Sequence, residues 1–374
     1  MMVTLHLIGD SLVKAYGNDT DNFIGGWGDH LASFFSSEDI KVLDYAEGGR
    51  SSRSFLNEGR FIDNGLFTED EFPYGLGPAY DRIQNGDYCL IEFCHNDDNS
   101  KDVNTYVDRM TALGIPNEQG IYPTLVPTED MMVSTKTLPQ EYQGLLKNSG
   151  MSEAEIESNL TKYREILSNY KDKYYPYACG ATFKGYYKFY IDKIREKGAY
   201  PVIVTAPARQ YFKEGKIESI PGHHGGSDKF GDFTYVRAAK QIASEENVVL
   251  VDLFDFSCEL FEMLGEEDAS YLSSIVGYDN NTLGESIYGR GAKWPQEYDK
   301  YREEGNFLKI DKTHTNRLGS FIFAEEIARQ LANSVEELAN YKLAKTSKQV
   351  ASPKKLERRL EDIEKFMKDY ASKH

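Results

Sequence analysis

Four short stretches of this sequence hold the side chains that acyl transfer needs. That reaction requires a nucleophile, a base to take its proton, an acid to orient the base, and donors for the developing oxyanion. Ser11 closes the triplet Gly9-Asp10-Ser11 directly after an apolar run. A turn there exposes the hydroxyl, although such triplets also form ordinary turns. Asp311 precedes His314 by three residues, so its carboxylate can fold back onto one ring nitrogen and leave the other as a base. The plain alternative is a surface turn in which Thr315 or Asn316 caps the next helix. Gly49, within Glu47-Gly48-Gly49-Arg50-Ser51, can bring a backbone N–H close to a ligand. Asn96, within Cys94-His95-Asn96-Asp97, offers a side-chain amide. Singly these are commonplace loop residues. What links them is their order, with Ser11, Gly49 and Asn96 each after a successive strand-like run.

Those runs set the frame. Residues 3–8, 41–45, 88–93, 201–205 and 248–252 are short and largely apolar, and read as strands. Between them lie helical spacings. One holds Trp27, Leu31, Phe34 and Phe35, and another holds Phe183, Tyr187, Tyr190, Ile191 and Ile194. Residues 235–246 and 317–333 complete the set, the last with Phe321, Ala324, Ile327, Ala328 and Leu331 on one face. Strands that are apolar throughout and alternate with helices predict an α/β fold. The expected form is a three-layer α/β/α sandwich around a central, mostly parallel, five-stranded sheet. Ligands in such sheets bind beyond the carboxyl ends of the strands. Two stretches break the alternation: an insertion over 100–181, with a capping box at Ser152 and Glu155, and a connection over 266–309. Unstructured connections this long are functional or disordered. No linker divides the chain, so 1–340 reads as one domain and 341–374 as a helical tail. In the tail, Leu356, Leu360, Ile363, Met367 and Tyr370 are spaced 4-3-4-3, an apolar stripe for packing on the domain or for a homodimer contact.

Composition narrows the function. In 374 residues the hydrophobic fraction of 40% and charged fraction of 28% are those of a globular protein. A net charge of -17 argues against nucleic acid as a partner, because phosphate binding needs clustered cations. Cys89, Cys94, Cys179 and Cys258 are scattered, so neither a disulfide framework nor a structural zinc site is expected. His223-His224 lacks a third ligand at a sensible spacing, so no metal is expected there either. No apolar run approaches the ~18 residues of a membrane span, and the mixed charges of the tail disfavour a membrane surface. The chain starts almost directly on a strand with no visible signal peptide, which reads as cytoplasmic, or as secreted if a leader has been removed.

Taken together, the four stretches resemble the defining blocks of the SGNH/GDSL hydrolases: Gly-Asp-Ser, a glycine after the second strand, an asparagine after the third, and Asp-x-x-His near the end. Finer features are similar to rhamnogalacturonan acetylesterases and related carbohydrate esterases. They are Gly26-Trp27-Gly28, the run from Gly49 to Phe55, His95-Asn96-Asp97, and the run from Thr205 to Arg209. The similarity runs from residue 4 to 333, is poor across the insertion, and omits the tail. It implies a flavodoxin-like SGNH fold that needs no metal or cofactor. It implies Ser11 as nucleophile, His314 as base, Asp311 as its orienting acid, and an oxyanion hole from the Ser11 and Gly49 backbone N–H groups and Asn96. The implied substrate is an acetylated plant polysaccharide or its oligosaccharides, pectic rhamnogalacturonan first and xylan second. Arg50, Arg53 and Arg209 then either form structural ion pairs or meet uronate carboxylates. Trp27 is either core or a cleft wall, with its place near Ser11 favouring the wall, and His95 either braces a loop or touches substrate. A lipid or thioester hydrolase, and a non-catalytic carbohydrate-binding protein, are the competing readings. One departure stands out: Cys94 occupies the usual glycine of the third block, which predicts a negative φ and an unreactive thiol there. The Gly-x-Ser-x-Gly elbow of α/β-hydrolases is absent.

Overall fold

A computed structural model describes residues 2–17, 23–63, 76–98, 109–127, 152–170, 181–220, 225–276, 294–305, 309–346 and 349–374. Five parallel strands form its centre: β1 (Val3–Gly9), β2 (Ile40–Asp44), β3 (Tyr88–Glu92), β4 (Tyr200–Val204) and β5 (Val249–Val251). Their order across the sheet is β2-β1-β3-β4-β5. Successive side chains of a strand point to opposite faces. In β1, Leu5 and Leu7 face one way and His6 and Ile8 the other, and all four are fully buried. Only a sheet covered on both faces can do this, as the apolar strand sequences require.

Register decides where the loops emerge. Gly9 pairs with Glu92, so the turns carrying Ser11 and Asn96 leave the sheet side by side. Leu7 pairs with Asp44, and Glu47 N–H then bonds Gly9 O at 3.1 Å, drawing the Gly48-Gly49 loop to the same edge.

The main helices are α1 (Ser52–Asn57), α2 (Glu153–Tyr170), α3 (Phe183–Glu196), α4 (Thr234–Glu245), α5 (Leu253–Ala269) and α6 (Arg317–Ser334). The α2 start carries the expected capping box, with Ser152 N–H donating to the Glu155 carboxylate at 2.8 Å. On α3, Phe183, Tyr187, Tyr190, Ile191 and Ile194 are all buried. The helix expected around Trp27 is shorter, with Gly28–Leu31 running into a 3₁₀ turn over Ala32–Phe34. Helix α5 was not expected from the sequence. Leu253, Phe254, Phe256, Leu260, Phe261 and Leu264 are buried along one broad face, opposite Asp255 and Glu259.

One further element was not expected. An antiparallel ribbon pairs β6 (Ser273–Val276) with β7 (Lys309–Thr315), and β7 contains both Asp311 and His314. The tail helix α7 (Leu360–Lys373) folds back onto α5, where Phe366 and Tyr370 meet Phe256 with ring centroids 5.6 and 5.2 Å apart. Leu356, Ile363, Met367 and Tyr370 are buried there. This is the packing alternative for the tail, and it leaves the stripe covered by the chain itself.

Candidate active site

The turn after β1 is shaped by Asp10. One carboxylate oxygen accepts the Leu12 N–H at 2.9 Å, and its backbone carbonyl accepts Lys14 N–H at 3.0 Å. Gly9 is obligatory, since a Cβ there would lie 2.3 Å from Val13 Cγ2 and 2.7 Å from Glu92 O. Ser11 is therefore held at the sheet edge, and Tyr16 Oη donates to its carbonyl at 3.1 Å.

His314 reaches Ser11 from the irregular part of β7. Ile275 pairs with Ile310 and Ser273 with Thr315, so two residues of β6 span five of β7 and the excess bulges out. Asp311 fixes the bulge through Oδ1, which accepts Thr313 N–H at 2.9 Å and His314 N–H at 3.0 Å. Its other oxygen lies 2.8 Å from His314 Nδ1, and His314 Nε2 lies 2.8 Å from Ser11 Oγ. Thr315 anchors the ribbon to the segment that follows β1, accepting Gly25 N–H at 3.0 Å and donating to Gly25 O at 2.9 Å. Burial pushes the Asp311 carboxyl up, but bonds from the His314 ring and the two backbone donors outweigh it and hold it below the usual range.

The loops that carry Gly49 and Asn96 emerge at the same end of the sheet as Ser11. Gly49 adopts φ +77°, a left-handed conformation that only glycine takes readily. A Cβ on Gly49 would lie 3.1 Å from the guanidinium of Arg109, and one on Gly48 would lie 3.8 Å from Ser11 Cβ. Asn96 Nδ2 donates to Asp10 Oδ2 at 3.2 Å and to Arg50 O at 3.1 Å, tying the three loops together. Asp97 braces the loops from behind, accepting Ser52 N–H at 3.0 Å, and burial raises its carboxyl to about 7. Cys94 is not among the described non-glycine residues with positive φ, and burial pushes its thiol well up, as expected for an inert cysteine.

The candidate substrate contacts are engaged within the protein to different degrees. Trp27 is 0% exposed and belongs to the core, so the cleft-wall reading is corrected. Arg53 and His95 are also buried, at 8% and 5% exposure. The His95 ring braces a loop, with Nε2 3.1 Å from Pro207 O. Arg209 donates to His95 O at 3.0 Å, and Arg50 pairs with Glu58 at 2.9 Å, so both hold loops in place. His223, His224 and Cys179 lie outside the described residues.

Two residues escaped sequence reasoning. Arg109, in the insertion, packs on Gly49 although it is far from it in sequence and carries no local signal. Glu92 is the last residue of β3 and fully buried. Its signal was present, as an acid inside an otherwise apolar strand. Among the described residues, Asp10, Glu92 and His95 bring metal-ligand-type atoms within 4.8 Å of one another.

No family model matches the chain. A probable rhamnogalacturonan acetylesterase of Bacillus subtilis, YesY, is 28% identical over 264 residues, covering 70% of this chain and 76% of that protein. The rhamnogalacturonan acetylesterase RhgT of the same organism is 24% identical over 316 residues, covering 84% of this chain and 82% of that one. A crystal structure of another Bacillus subtilis protein is 17% identical with a TM-score of 0.44, over 89% of this chain and 57% of that chain.

Proposed function

We propose that this chain, a homologue of rhamnogalacturonan acetylesterases, is a serine esterase that removes O-acetyl groups from a pectic polysaccharide or its oligosaccharides. The observation that carries the reading is the relay from Asp311 to His314 to Ser11, with both links at 2.8 Å. Ser11 Oγ attacks the ester carbonyl while His314 Nε2 takes its proton. His314 then gives that proton to the departing sugar hydroxyl, leaving an acetyl group on Ser11. Water, deprotonated by the same nitrogen, releases acetate. Asp311 keeps the Nδ1 proton of His314 in place and so leaves Nε2 free to act as base.

The negative charge on the carbonyl oxygen meets the Ser11 and Gly49 backbone N–H groups and Asn96. Asn96 gives up one of its present acceptors to do so. Arg109 places a positive charge against Gly49 at this edge. That charge suits a substrate whose neighbouring sugars carry carboxylates, because guanidinium pairs bidentately with them.

Acetate release from acetylated rhamnogalacturonan, xylan and aryl acetates tests the reading. Ser11→Ala is expected to lower kcat by about 10⁶. Full activity in that variant, or a preference for long acyl chains in an aryl-ester series, would overturn it.

A further inference from the structure

Three buried groups behind the nucleophile turn have lone pairs converging on one point. Glu92 is 0% exposed, and among the described residues neither of its carboxylate oxygens has a partner within 3.5 Å, the Trp27 indole N–H approaching from farther off. Asp10 is also fully buried, and His95 is 5% exposed. His95 Nε2 faces a backbone carbonyl, that of Pro207, at 3.1 Å. Only an N–H can bond a carbonyl, so Nε2 carries a proton and the neutral ring turns a lone pair outward at Nδ1. That atom lies 3.7 Å from Asp10 Oδ2 and 3.9 Å from Glu92 Oε1. Two carboxylates and an imidazole lone pair cannot share this space without a proton among them.

We propose that Glu92 is a neutral carboxylic acid packed beside Asp10 and His95, and that it positions Asp10 and Asn96 for catalysis. The surroundings favour the proton on Glu92. Burial pushes its carboxyl up first and the negative charge of Asp10 next; the Trp27 indole N–H opposes them, and Asp97 adds a smaller push upward. Cys94 and Tyr187 also face it from the third-strand loop and α3. Burial holds His95 below its ordinary value, with Arg209 and His314 acting in the same direction and Asp10 opposing.

The consequence lies at the oxyanion hole. Asp10 Oδ2 is the acceptor for Asn96 Nδ2, and Asp10 Oδ1 shapes the turn after Ser11. With Glu92 neutral, one negative charge stands behind these donors. With Glu92 ionised, two stand there, repelling each other and the oxyanion. The catalytic part of this inference rests on the esterase reading, but the protonation itself does not.

The test compares the intact protein with Glu92→Gln, which keeps a donor, and Glu92→Leu, which keeps none. Glu92→Gln is expected to rescue acetate release to near wild type at pH 7, and Glu92→Leu to lower kcat by about tenfold. The wild type should lose kcat at alkaline pH, and Glu92→Gln should lose less. Two readouts need no turnover. The infrared difference spectrum of wild type minus Glu92→Gln at pH 7 should show a protonated carboxyl band. The melting temperature of wild type relative to Glu92→Gln should fall as pH rises. A carboxylate band, an unchanged alkaline limb in Glu92→Gln, or a stoichiometric metal ion bound to the purified wild type would each overturn the proposal.

Discussion

A serine hydroxyl is a weak nucleophile until its proton has a destination. In the proposed mechanism the destination is His314, whose ring is oriented by the Asp311 carboxylate 2.8 Å from Nδ1. Asp311→Asn leaves an amide that can present N–H to Nδ1, so the ring adopts the wrong tautomer. The expected result is a fall in kcat of about 10⁴ with little change in KM, measured on an aryl acetate. Asn96→Ala should lower kcat by about 10²–10³ if its amide meets the oxyanion. A loss confined to KM would remove it from the transition state. Gly49→Ala differs in kind. It forces a side chain into φ +77° and against Arg109, at a backbone cost of about 1–2 kcal/mol.

At the scale of elements, the site is assembled by strand register and one irregular ribbon. The sheet was legible because β1, β3 and β4 are apolar on both faces and end at Gly-Asp-Ser, His-Asn-Asp and Ala-Pro. The relay was legible because a spacing of three suffices to fold Asp311 onto His314. What carries that spacing was not legible. Residues 309–315 hold polar and charged side chains with no period of two, and they pair as a strand only because β6 stands opposite. Trp27 misled for a related reason. Proximity in sequence to Ser11 says nothing about direction, and the chain turns the indole into the core. The 4-3-4-3 stripe of α7 was legible as a helix, but not what covers it, because spacing within one helix does not say which surface it packs on. Its packing gives a prediction at this scale. Ile363→Ala removes fully buried methyl groups between α7 and the domain, which should cost about 2–4 kcal/mol of stability. Urea unfolding should register the loss while KM and kcat for an aryl acetate stay unchanged. An altered kcat would show that the tail reaches the site through α5.

The whole molecule carries an unusual set of buried acids, and their signs add. Burial first raises the carboxyl of Asp44 to about 8 and that of Asp97 to about 7, and it raises Glu92, Asp29 and Asp252 as well. A carboxyl whose value is higher folded than unfolded contributes stability that is fully present below the unfolded value, near 4, and lost as pH rises through the folded one. Asp311 works the other way. Its folded value is depressed, so its contribution is present above the unfolded value and lost only as pH falls through the folded one. The two sets together place maximum stability on the mildly acidic side of neutrality. From about pH 5 to 9 the melting temperature should fall, by several degrees for a loss on the order of a few kcal/mol. Surface repulsion from the net charge of -17 has the same sign over this range, so the two causes must be separated. Salt separates them, since about 0.5 M screens exposed charges strongly and buried ones much less. Asp44 supplies the second control. Its oxygens accept the Ala46 N–H at 2.8 Å and the Ala15 N–H at 2.6 Å. Asp44→Asn keeps one acceptor, cannot ionise, and should flatten the slope between pH 6 and 9 while lowering stability at pH 5. A slope that vanishes in salt, or survives unchanged in Asp44→Asn, would assign the alkaline loss to the surface instead of to the acids beneath the site.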